Sequence, residues 1–310
     1  MDGTGVPLMH THEHAEASAR PRSVLLWSAG VTAAVLVLEL AGAAWSNSLA
    51  LLSDAGHVFM DLSALLFSLF AITLAARPVS DRRTFGLHRL EVFAAFLNGL
   101  LVAVMAVAIA AAALHRLKTL PPVKLGPMIS VAVAGLAANL AVAWRLHGFS
   151  KRDLNLRGAF LHVAGDALAS LAVVVAGVLV AVTGRVVFDP IAGLVVGAVI
   201  LVNAVRLLVD SVHILLEGVP KDVDLNELVR AVGAVPGVVA VDDAHVWSIC
   251  SHLCSFSAHV TVDDDRMADP RAVLDAVNAL LRDRYRVSHS TLQLRSASWG
   301  EASPRSHSTA

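Results

Sequence analysis

Cysteine is nearly absent: Cys250 and Cys254 are the only two in 310 residues, so no disulfide framework holds this chain together. An excess of charge of either sign is missing as well. At a net charge of −1 there is no basic surplus to suggest nucleic acid and no acidic tail. Lysine is scarce, since only four of the 24 basic residues are Lys. With abundant Ala, Val and Gly, that bias suggests a GC-rich bacterial genome. The first 22 residues are polar, carry His10, His12 and His14, and lack an apolar core with a small-residue cleavage site. No cleaved signal peptide is therefore expected, and the apolar stretch that follows reads as a retained helix.

What the chain has in quantity is apolar sequence. Its hydrophobic share is 56% and its mean hydropathy +0.68, against about 45–50% for an ordinary soluble domain. Six stretches have the roughly 20 mostly apolar residues that a membrane helix needs: 23–45, 49–76, 90–115, 126–147, 157–182 and 187–216. Breakers fall between them at Ser46-Asn47, Pro78, Pro121-Pro122 and Gly184. Arg82, Arg83 and Arg89 lie between the second and third stretches, and Lys151, Arg152 and Arg157 between the fourth and fifth. Arg20 and Arg22 precede the first. On the other side no Arg or Lys lies between the first and second, Arg116, Lys118 and Lys124 follow the third, and Arg185 stands alone between the fifth and sixth. This asymmetry predicts that both termini are cytoplasmic, in a multi-pass protein of a bacterial inner membrane.

After Pro220 the composition becomes that of a soluble domain. Asp224–Val235 and Pro270–Arg284 read as helices, and Val238–Ile249, Leu253–Val262 and Thr291–Arg295 as strands. Along the second strand Cys254, Phe256, Ala258, Val260 and Val262 alternate with polar residues. The order α-β-β-α-β suggests a small ferredoxin-like layer, small enough to need a partner copy to bury sufficient surface. The expected fold is therefore a polytopic α-helical membrane protein with six transmembrane helices, then a small α+β cytoplasmic domain. Its parts are a His-containing tail at 1–22, the membrane domain at 23–216, the cytoplasmic domain at 217–296 and a disordered Ser-rich tail at 297–310.

Ionisable residues inside the apolar stretches point to function. The second carries Asp54, His57 and Asp61, and the fifth carries His162 and Asp166. Each such group costs about 3 kcal/mol at mid-bilayer on insertion scales, so it needs partners and a reason. His57/Asp61 and His162/Asp166 are both spaced i, i+4, which puts each pair on one helix face. Two such helices side by side bring two imidazoles and two carboxylates to one point, a tetrahedral donor set that suits Zn²⁺. Asp54, on nearly the same stripe, is placed to orient His57 from behind. A packing role without metal explains one buried His or Asp well, but two His-x-x-x-Asp pairs on two helices poorly.

These residues resemble the cation diffusion facilitator family, the zinc-exporting branch in particular. The segment from Ser46 to His57 with Asp61 is similar to the family's second-helix motif, and His162 to Leu168 to its fifth-helix motif. Arg83 to Glu91 resembles the segment leading into the third helix, and Asp243 to Ile249 the first strand of the soluble domain. The resemblance implies a homodimeric antiporter that exchanges cytoplasmic Zn²⁺ for protons, with a cytoplasmic domain able to bind metal. Two positions depart from it: Asp242 stands where many relatives have His, and Arg295 where many have a carboxylate.

The expected transport ligands are His57, Asp61, His162 and Asp166. Zn²⁺ is the cargo, with Cd²⁺, Co²⁺ and Ni²⁺ as further ions, and no cofactor is expected. His245 and His259 are weaker metal candidates in the soluble domain, where a solvated His on a sheet is ordinary. Cys250 and Cys254 read as structural. Glu39, Asn139 and Asp210 lie within or near spans, Asn139 as an interhelical hydrogen-bonding group and Glu39 as a residue able to line the pathway. The partners expected are divalent ions, protons, lipid and a second copy of the chain, without nucleic acid. A membrane metal sensor without transport is a rival reading. An intramembrane zinc hydrolase is another, but its usual His-Glu-x-x-His pattern is absent, and no enzymatic activity is expected.

Overall fold

Each of the six apolar stretches forms one long helix. They are α1 (Ala19–Ser46), α2 (Leu49–Ala75), α3 (Arg89–Thr119), α4 (Leu125–Ser150), α5 (Leu154–Thr183) and α6 (Phe188–Leu215). The computed structural model describes residues 19–75, 81–150, 154–250, 253–267 and 269–300. Among the described residues, four helical stretches are long and apolar enough to cross a membrane: Arg89–Thr119, Leu125–Trp144, Gly165–Thr183 and Phe188–Leu215. In α1 the apolar run is shorter, Thr32–Ser46. The chain forms two compact units, Met1–Leu65 with Val102–Leu201, and Leu66–Leu101 with Val202–Ala310.

The first unit inverts the soluble pattern. Val37, Trp45, Val104, Trp144, Leu168 and Val182 are exposed, while Glu39, Ser48, Ser53, Asp54, Ser170 and Asp189 are buried. Apolar residues outside and polar ones inside are what lipid as solvent selects. Small residues let the helices approach. A Cβ on Gly177 of α5 would lie 2.7 Å from Ile129 of α4, and one on Gly42 of α1 would lie 2.8 Å from Val131 of α4.

The turn between α1 and α2 is tied down by side chains from far along the sequence. Asn47 adopts φ 55°, a left-handed conformation that Asn tolerates better than most residues. Arg116 of α3 donates to the Asn47 carbonyl at 2.6 Å and to its Oδ1 at 2.8 Å. Asp189 of α6 accepts from the Ser48 hydroxyl and from the backbone N–H groups of Leu49 (2.9 Å) and Ala50 (3.2 Å). A carboxylate from another helix thus caps the N-terminus of α2, satisfying donors the helix cannot satisfy itself. Asp189→Ala would orphan three buried donors at about 1 kcal/mol or more each. The variant is expected to unfold at a clearly lower temperature in detergent, and an unchanged unfolding temperature would refute the clamp.

In the second unit, the start of α3 and the end of α6 lie close, since a Cβ on Gly99 would meet Leu208 at 3.1 Å. Arg89 donates to Glu217 at 2.7 Å, and Lys221 pairs with Asp210. Both pairs are exposed and contribute about 1 kcal/mol at most. His213 Nε2 lies 2.8 Å from the Val219 carbonyl, fixing the exit from α6.

The rest of this unit contains α7 (Leu225–Gly233), β1 (Val238–Cys250), β2 (Leu253–Val262), α8 (Asp264–Met267), α9 (Arg271–Tyr285), β3 (Val287–Ser296) and α10 (Ala297–Gly300). Asp224 caps α7 by accepting from the N–H groups of Asn226 and Glu227. The sheet order is β1-β2-β3, with β1 and β2 antiparallel and β2 and β3 parallel through α9. Leu228 and Val232 of α7 and Val273, Val277 and Leu281 of α9 close over Phe256, Ala258, Val260 and Val262. The expected alternation of β2 therefore forms the core. The third strand is longer than the expected Thr291–Arg295, because its polar first half gains its register from β2 and not from hydrophobic pattern. A correction falls at the end: residues 297–300, expected to be disordered, form α10, where Ser298 donates to Asp264 from both its N–H and its hydroxyl.

Candidate metal site

The four expected ligands sit on α2 and α5 of the first unit. His57 Nε2 lies 2.9 Å from Asp166 Oδ1, so the two helices meet through a direct His–carboxylate contact. Ligand atoms of His57, Asp61 and Asp166 all lie within 4.8 Å of one another, and among the described residues no other three His, Cys, Asp or Glu side chains gather so. His57 is only 9% exposed. Four ligands about 2.0–2.1 Å from a tetrahedral Zn²⁺ stand about 3.3 Å apart. The observed spread therefore needs a contraction of about 1.5 Å at most, within reach of side-chain rotation. His162 lies one turn before Asp166 on α5, but its side chain lies outside the described residues, as do His10, His12 and His14.

The contact of His57 with Asp166 has a chemical consequence. Two acceptor atoms 2.9 Å apart need a proton between them, on the ring nitrogen or on the acid. A metal ion taking the same two atoms must displace that proton.

Asp54 hydrogen-bonds Ser170 of α5, and among the described residues its Oδ2 is buried without a partner. Asn139 of α4 donates in turn to Ser170 at 3.5 Å, the interhelical role expected of a buried amide. Sequence reasoning passed over Ser170, Asp189 and Arg116 as site-shaping residues. No local pattern marks them, since each acts on a helix distant in sequence.

In the soluble domain, among the described residues, His245 and His259 do not form a group of three metal-capable side chains whose ligand atoms all lie within 4.8 Å of one another. Asp243 sits at a bulge of β1 with φ 53°, and its carboxylate lies 3.1 Å from His245 Nε2 and 3.7 Å from His259 Nδ1. Arg295 lies 2.8 Å from the same His259 Nδ1. A guanidinium only donates, so Nδ1 accepts, and a fixed positive charge stands where a cation would have to approach. Burial pushes the Cys254 thiol up from its ordinary value, which keeps it protonated and a poor ligand. Cys250 is buried, and neither cysteine is in a disulfide.

Long helices with lipid-compatible exteriors, enclosing a His–Asp donor cluster, define a membrane protein that handles metal cations. The chain matches the cation efflux transmembrane domain over residues 25–216 and the cytoplasmic domain of cation efflux proteins over residues 220–296. It belongs to the cation efflux family, also called the cation diffusion facilitators. It is 40% identical to the zinc transporter ZitB of Escherichia coli over 92% of this chain and 90% of that protein. It is 34% identical to the cadmium, cobalt and zinc/H(+)-K(+) antiporter of Bacillus subtilis, over 91% of each chain. A solved metal-bound C-terminal domain of the CzcD transporter from Cuprividus metallidurans is 32% identical, covering 24% of this chain and 99% of that one with a TM-score of 0.22.

Proposed function

We propose that this protein exports Zn²⁺, with Cd²⁺ and Co²⁺ as further cargo, from the cytoplasm in exchange for protons. The cargo is held by His57, Asp61, His162 and Asp166 between helices 2 and 5 of a six-span membrane domain. The observation that carries this reading is the convergence of His57, Asp61 and Asp166 within 4.8 Å, from two helices and inside an apolar exterior. The names of the relatives support zinc as cargo and protons as counter-ion.

The mechanism follows from the shared atoms. Protons and Zn²⁺ compete for His57 Nε2 and Asp166 Oδ1, because ligation needs a neutral imidazole lone pair and an ionised carboxylate. Loading the ion on the cytoplasmic side releases protons there, and protonation from the other side releases the ion. Histidine titrates near neutral pH when unperturbed, so a physiological proton gradient can drive the exchange. No covalent bond of a substrate changes, so the protein acts as a transporter and not as an enzyme. The excess of Arg and Lys on one side supports cytoplasmic termini and a bacterial inner-membrane location. The small soluble domain supports a homodimer, since a second copy would cover surface that so short a domain leaves exposed.

The test is Zn²⁺ flux in proteoliposomes with the membrane potential clamped. Acidifying the side opposite the metal is expected to raise Zn²⁺ flux several-fold and to carry protons the other way. Flux indifferent to the imposed pH gradient would overturn the antiport.

A further inference from the structure

We infer that Glu39 heads a second cation site, separate from the metal ligands, which takes a proton and not the metal ion. The inference rests on the antiport reading and names where an exchanged proton is held.

Glu39 of α1 is fully buried, and among the described residues neither of its carboxylate oxygens has a hydrogen-bond partner. Asp54 of α2 is 1% exposed, with Oδ2 equally unpartnered. The space around Glu39 is made by a missing side chain. A Cβ on Gly135 of α4 would lie 2.9 Å from Glu39 Oε1 and 3.8 Å from the Ser170 hydroxyl, so both polar groups approach the gap that glycine leaves. Ser170 is committed to Asp54 and receives Asn139, so it supplies no donor to Glu39.

A buried carboxylate without a donor is among the costliest arrangements in a low-dielectric interior. Something positive must complete it. The charged groups facing Glu39 are Asp54 from α2 and Asp166 from α5, both acidic. From α4, Gly135 and Asn139 are neutral, and no Lys or Arg with a described side chain reaches the site. A metal ion fits badly: among the described residues Glu39 and Asp54 do not gather with a third His, Cys, Asp or Glu at ligand distance. A proton needs one oxygen and no added volume.

The location explains how such a proton would be coupled to cargo. A divalent ion bound by Asp61 and Asp166 cancels the like charge that faces Glu39. The Glu39 acid then loses its proton to water as the ion loads, and regains one as the ion leaves. The exchange balances as one carboxylic acid converted to one carboxylate and one proton.

The experiment uses the full-length protein and Zn²⁺ as the probe. Zn²⁺ binding and the protons displaced by it are measured together in weakly buffered detergent solution, for wild type and for Glu39→Gln. Glu39→Gln is expected to bind Zn²⁺ near wild-type affinity while displacing about one proton fewer per ion. In proteoliposomes its acceleration by the pH gradient is weakened, and Glu39→Asp restores it. A wild-type proton count in Glu39→Gln overturns the inference, and so does a lost Zn²⁺ site, which would make Glu39 a ligand. If Glu39→Gln does not fold, Gly135→Ala, which pushes a methyl against Glu39 Oε1, is expected to lower the proton count. An unchanged count there also overturns it. Wild type that displaces no protons at all overturns the antiport reading itself, an outcome distinct from the variant matching a proton-releasing wild type.

Discussion

Asp166→Ala is expected to abolish Zn²⁺ export while leaving insertion and expression near wild type. Changes to residues that merely orient a ligand already cost about 10–100-fold in metal affinity, so removing a ligand is expected to cost at least about 100-fold. Asp166 has more at stake than one coordination bond. Its Oδ1 is the atom 2.9 Å from His57 Nε2, so it joins α5 to α2 before any ion arrives. Alanine removes both the ligand and that link. The fold is expected to survive, because a neutral imidazole left without its partner loses one hydrogen bond of about 1 kcal/mol. Size-exclusion profiles of the detergent-extracted variant separate misfolding from loss of function. Wild-type flux from a correctly inserted Asp166→Ala protein would remove Asp166 from the ion path. The variant also tests the competition between proton and metal, since it should displace fewer protons with any Zn²⁺ it still binds.

The centre of the site was legible in the sequence because its logic is local. His57 and Asp61 share a helix face by spacing alone, and burial in apolar sequence gave both a reason to be noticed. The meeting of α2 with α5 could be expected from two similar pairs, and the contact of His57 with Asp166 supplies it. What surrounds the site was not legible. Ser170 holds Asp54 from another helix, and a serine in an apolar helix carries no signal of its own. Asp189 caps α2 from 140 residues away, a partnership that no periodicity records. Glu39 was visible as a polar residue within a span, but its isolation from donors among the described residues is a property of packing.

The soluble domain divides in the same way. Strand β2 declared itself by alternation, whereas the polar start of β3 is a strand because β2 offers it an edge. Arg295 was notable in the sequence only as a departure from a resemblance. Its contact with His259 gives the departure a physical content, since the domain carries its own positive charge at the point of interest.

His57→Asp is expected to change which ions are carried more than how fast. Imidazole is a borderline ligand that suits Zn²⁺ and Co²⁺, whereas carboxylate-only sites suit harder ions such as Mn²⁺. Aspartate at position 57 keeps a donor atom but ends closer to the α2 backbone than imidazole Nε2 does. The site therefore widens, and it gains a negative charge beside Asp61 and Asp166. A wider, more anionic, all-oxygen contribution from α2 favours larger or harder ions that accept more ligands. The ratio of Zn²⁺ to Cd²⁺ or Mn²⁺ flux, measured in the same vesicles, is expected to fall by about tenfold, equivalent to a difference of about 1.4 kcal/mol between two ions. Mg²⁺ should stay excluded, because it gives up its water reluctantly and demands octahedral geometry that two helices do not complete. The variant separates ligand chemistry from helix packing: a merely structural role for His57 would lower all fluxes together and leave their ratio fixed. An unchanged ratio in a His57→Asp protein that still transports would mean that His57 does not touch the ion.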